Sequence, residues 1–158
     1  MDDCLFQWSY YTDSMALISP ANQASQSDPL RRTLFAVQQS LTSLYNELIV
    51  AEQITYERIH GRVATTDELI HLLRNDPWFA WLCPLLDLLL RIDLLLTDDA
   101  FDITRENVEH LVAEVRRLTR PSIDGDGFER AYYEALNRAP HVVLAHFHVT
   151  RALEADAA

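Results

Sequence analysis

The sequence predicts an all-α protein, a single-domain bundle of about five to six helices around a central apolar helix at about residues 78–96. Three observations carry that expectation. Apolar residues recur at three- and four-residue spacings through the long segments, the pattern of helices with one buried face. Only three glycines and six prolines occur in 158 residues, too few for the tight turns of an all-β chain. Pro29, Pro77, Pro121 and Pro140 fall at segment boundaries, where a missing N–H harms a helix least.

Residues 1–28 read as an N-terminal extension, and 29–155 as the bundle domain. The extension opens with an aromatic piece (Phe6, Trp8, Tyr10, Tyr11) and continues as a polar stretch from Ser19 to Asp28. The polar part has almost nothing to bury, so the extension is expected to be partly flexible. Asp28 followed by Pro29 is an N-cap with proline at the first helical position. Leu34, Val37, Leu41, Leu44, Leu48 and Ala51 then alternate by three and four, the seam of a long helix that Gly61 ends near His60. Thr65 with Glu68 forms a capping-box pattern for a short helix that stops before Asp76-Pro77.

The stretch from Trp78 to Leu96 is apolar nearly all round, which places it in the middle of a bundle. At about 100° per residue, Cys83, Asp87, Arg91 and Asp98 share one narrow strip facing solvent, with Asp87 and Arg91 paired at i, i+4. Asp93 lies on the other side, where a carboxylate needs a partner, and His146 or a neighbouring arginine are the candidates. Thr104 caps the next helix, with Ile103 and Val108 as a hydrophobic staple and Val108, Leu111, Val112, Val115 and Leu118 as its buried face. After Pro121 and the turn Ser122–Gly127, a short helix carries Phe128, Ala131, Tyr132, Ala135 and Leu136. Pro140 begins the last helix, whose face is Val142, His146, Val149 and Leu153.

Composition excludes several classes. A formal net charge of -11 repels phosphate backbones and anionic surfaces, so neither nucleic acid nor membrane is an expected partner. Pro84, Asp87, Arg91 and Asp93 interrupt the one stretch long enough to consider as a span. All 13 basic residues are arginine, a bacterial-like composition that rules out lysine Schiff-base chemistry. Cys4 and Cys83 stand far apart in sequence with no ligand partner nearby, which predicts neither a disulfide nor a zinc site. That reading, with Asp2 and Asp3 where an export signal carries positive charge, points to a reducing cytoplasm.

No catalytic residue, metal ligand or cofactor is expected. Glu57 with His60 and Glu68 with His71 repeat the Glu-x-x-His spacing of di-iron bundles; Glu47 and Glu52 are available on the first helix, but no other apolar helix presents an inward glutamate, so these read as surface pairs. His141 and His148 share an outer face two turns apart, while His146 projects from the apolar face. Asp124-Gly125-Asp126-Gly127 starts like a calcium loop and then loses the required glycine and bidentate acid.

The candidate binding residues are Asp93, His146, Trp78, Trp81 and Tyr132. The leading expectation is a non-enzymatic protein-interaction module, an adaptor, regulator or chaperone-like bundle. It would meet a partner protein, or a second copy of itself, through the seam of the first helix and the N-terminal aromatics. The alternative is a small-molecule or metal-binding bundle, possibly enzymatic, with a polar site near Asp93 and His146.

Overall fold

A computed structural model describes residues 28–97, 102–125 and 127–155, and every regular element within them is helical. The expectations for residues 1–27 lie outside the described residues. Helix α1 spans Pro29–His60, with the Asp28 carboxylate accepting from the Leu30 N–H at 3.0 Å. Gly61 ends it at φ 98, ψ 171 while its N–H donates to the Glu57 carbonyl, a backbone region open essentially to glycine alone. Helix α2, Thr66–Asn75, starts at Thr65, whose hydroxyl accepts from the Glu68 N–H. Glu68 reaches back one residue beyond the expected box, accepting from the Ala64 N–H at 2.8 Å.

The apolar stretch at 78–96 divides into two elements. Pro77–Leu82 is a 3-10 helix, and α3 runs only from Cys83 to Thr97. Pro84 is the cause: its ring clashes with the carbonyl four residues back and it has no N–H to donate, so an α-helical ladder cannot pass through it. The Asp76 side chain caps the 3-10 turn by accepting from the Trp78 N–H at 2.9 Å.

Helix α4, Arg105–Leu118, carries a reciprocal cap in which Thr104 and Asn107 each accept the other's backbone N–H. The staple residues Ile103 and Val108 are both buried. Helices α5, Gly127–Arg138, and α6, Pro140–Ala155, complete six α-helices among the described residues.

Helix α1 is the wall against which α3, α4, α5, α6 and the 3-10 helix pack, so the centre is shared between α1 and α3. Leu85, Leu86, Leu88, Leu89 and Ile92 of α3 are at most 1% exposed. Helices α1 and α3 run antiparallel. Glu52 meets Trp78, Gln38 meets Asp93 and Arg31 meets the Leu96 carbonyl, so the partner on α1 recedes as the other strand of contacts advances. Arg91 then fastens α3 to α4, touching Asp87 at 3.1 Å and Glu114 at 2.6 Å. The hydrogen bond from Arg91 holds the Glu114 carboxyl below the usual carboxylate range.

Two expectations are corrected. The seam Leu34, Val37, Leu41, Leu44, Leu48 and Ala51 is 0–3% exposed; it is filled by the chain's own helices and is not open to a partner or a second copy. A period of three and four marks a buried face without saying whose residues bury it. Cys83 is disulfide-bonded, against the expectation of reduced thiols, because distance along a sequence is no measure of distance in a fold. The cysteines therefore no longer point to a reducing compartment. Among the described residues no helix is long and apolar enough to cross a membrane.

Candidate functional site

The five residues proposed from sequence do not converge on one point. Asp93 is half-buried on the flank of α3, where its Oδ1 accepts from Gln38 Nε2 at 2.7 Å. Gln38, on the flank of α1, is a partner that the sequence did not suggest. Trp78 lies elsewhere, donating its indole N–H to Glu52 Oε2 at 2.9 Å.

Trp81, Tyr132 and His146 do belong together, joined by Phe128. Ring centroids step from Trp81 to Phe128 at 5.4 Å, to Tyr132 at 5.6 Å and to His146 at 5.9 Å. Tyr132 Oη and His146 Nδ1 share a hydrogen bond of 2.8 Å. Burial pushes the Tyr132 hydroxyl far up and the His146 imidazole below its ordinary value, so both are neutral near pH 7. A neutral phenol against a neutral imidazole joins α5 to α6 near the middle of each helix and leaves the hydroxyl satisfied.

A second polar group centres on Glu52, which the sequence offered only as a carboxylate available on the first helix. Glu52 is 5% exposed, and it is held by Trp78 and by Arg138 of α5, whose guanidinium forms an ion pair with Glu52 Oε1. Next to it Tyr56 donates to Asp76 Oδ2 at 3.2 Å, stacks on His60 at 4.4 Å and meets the edge of Trp78 at 5.9 Å. The signal available in the sequence was position: Glu52 follows Leu44 and Leu48 at four-residue steps, on the edge of the buried seam. Both oxygens of Glu52 have partners, so this corner locks α1, the 3-10 helix and α5 together and has no base or nucleophile to spare.

The Glu-x-x-His pairs are likewise engaged locally. Glu57 Oε1 accepts from Gln53 and from the Val63 N–H, bracing the turn after α1, and Glu68 serves the cap of α2. His141 stands 4.0 Å from Glu47. Among the described residues no three histidine, cysteine or carboxylate side chains converge as metal ligands.

The surface feature most in need of explanation is the outer face of α6. Val143, Leu144 and Phe147 are 46%, 60% and 52% exposed, while Val142, Ala145, Val149 and Leu153 of the same helix are buried against the bundle. The three sit on adjacent turns, and the Arg151 guanidinium lies 5.9 Å from the Phe147 ring centroid. Single exposed apolar residues are ordinary; three large ones on neighbouring turns of one helix form a patch. The hint in the sequence was that α6 is apolar on two faces, of which only the Val142 face was assigned.

Comparison with protein-family models, with curated proteins and with solved structures returns no match. The functional reading therefore rests on the residues of this chain.

Proposed function

We propose that the chain is a protein-interaction module whose contact surface is the outer face of α6, Val143, Leu144 and Phe147. The single observation behind the reading is that patch, an apolar surface on a helix whose other side already fills the core. The occupant it suits is an apolar helical segment of another protein with basic flanks. Helix against helix lets residues three and four apart interdigitate, and Phe147 stands four residues from Val143 and three from Leu144. The net charge of -11 steers a basic partner towards the surface and an acidic one away. A partner helix would displace water from about three large side chains, enough for a specific contact when joined to polar rim contacts around it.

The reading is tested by tagged baits in cells of the source: the wild-type chain, a Leu144→Ser/Phe147→Ser variant, and a chain lacking residues 1–27. Both substitutions fall on exposed side chains and leave stability within about 0.5 kcal/mol. A protein retained by the wild type and by the truncated chain but lost from the double variant, whose helical circular dichroism is unchanged, is the expected result. Equal retention by wild type and double variant defeats the assignment to α6.

A further inference from the structure

We propose that α6 is a proton-operated switch, fastened to α5 through Tyr132 and His146 while its two packed histidines are neutral and drawn to α1 through His141 and Glu47 once they are charged. The two imidazoles stand five positions apart, about 140° on the helix wheel. They flank the stripe Val142, Ala145, Val149 and Leu153, which is at most 5% exposed. His146 stands at the α5 edge of that stripe and His141 at the α1 edge.

A proton acts in opposite senses at the two edges. The bond between Tyr132 Oη and His146 Nδ1, 2.8 Å long, is satisfied while one partner donates and the other accepts. A charged imidazole donates from both nitrogens, so the phenol proton has to turn away from Nδ1. Tyr132 is 0% exposed, and among the described residues its hydroxyl has no second partner. The displaced proton is left without an acceptor, and the α5 edge loosens. Burial, which already holds the His146 imidazole below its ordinary value, resists the charge in the same sense. At the other edge, His141 Nε2 is shut off from solvent and makes no hydrogen bond. It faces Glu47 Oε2 at 4.0 Å, and charging the ring turns that approach into an ion pair.

Helices α1, α4 and α5 pack on α6. Of their charged groups, Glu47 meets His141, Arg116 of α4 donates to the Leu153 carbonyl at 2.8 Å, and Arg138 of α5, three positions before His141, is held by Glu52. His148 of α6 itself is exposed. Among the described residues no carboxylate or guanidinium pairs with His146, so no neighbouring charge offsets its protonation. Two packings of one helix, exchanged by proton uptake on its opposite edges, need no ligand to interconvert. The switch belongs to α6 whatever protein meets its outer face.

Hydroxyl-radical footprinting of the full chain, its disulfide at Cys83 intact, reads the α5 edge as oxidation of Tyr132. Tyr45 of α1, 2% exposed, is the reference for general loosening. Between pH 7.5 and 5.5 the ratio of Tyr132 to Tyr45 oxidation is expected to rise several-fold in the wild type. The ceiling is about tenfold, set by a freed imidazole of ordinary value 6.5 one unit below that value. His146→Gln, which stays neutral, is expected to hold the ratio flat. Glu47→Gln, on a half-buried side chain, is expected to cut the rise to less than half, because the ion pair supplies part of the shift. In the wild type itself the rise should follow the titration of the His146 Cε1 signal in nuclear magnetic resonance spectra. A flat ratio in the wild type, an equal rise in His146→Gln, or a rise out of step with the His146 signal overturns the switch. A rise in Glu47→Gln as large as that of the wild type overturns the pull towards α1.

Discussion

His146 shows how a single residue gains a chemical character that is not a catalytic one. Its ring lies half in the core, its Nδ1 is engaged by Tyr132 at 2.8 Å, and burial holds its pKa below 6.5. The unfolded chain therefore binds the proton first as pH falls, so stability is full above about 6.5 and declines as pH drops from there towards the lowered folded value. Carboxylates such as Glu114, held low by Arg91, begin to contribute only at more acid pH. His146→Gln keeps a neutral polar group beside Tyr132 and removes the titration. Urea midpoints at about pH 7.5 and 5.5 should fall more for wild type than for His146→Gln; equal falls would remove His146 from the account.

Between elements, the buried carboxylate of Glu52 ties three of them at one corner. Arg138→Ala leaves that carboxylate with the Trp78 indole as its remaining bond partner in the corner, and the expected loss in urea unfolding is about 1–3 kcal/mol. A loss within the few tenths typical of surface positions would mean that Glu52 is not held by this pair.

Most element bounds were legible because caps are local. Asp28-Pro29, Thr65, Thr104 and Gly61 declare themselves within a turn of the ends they make. The joint at Pro84 was less legible, since apolar composition ran straight through it and periodicity cannot separate a 3-10 turn from an α-helix over six residues. The Gln38 partner of Asp93 was not legible for a related reason. A wheel gives angle around one helix, whereas the Gln38 side chain that meets Asp93 comes from the flank of another.

At the scale of the whole molecule, the sequence could not assign faces to partners. The seam of α1 and the outer face of α6 are both apolar stripes; the fold buries the first and exposes the second. Only the packing of α3 through α6 on α1 distinguishes them. The candidate site moved accordingly, from an interior group around Asp93 and His146 to a surface on the last helix. The disulfide at Cys83 was illegible for the same reason, since it depends on where the chain travels.

The claim that α6 is the contact surface is tested most directly by placing a photo-reactive phenylalanine analogue at position 147 in cells of the source, with position 109 of α4, an exposed glutamate, as control. Light should join one discrete protein, other than a second copy of this chain, to position 147 and not to position 109. No adduct at 147, the same adducts at both positions, or an adduct only with another copy of the chain would contradict the account.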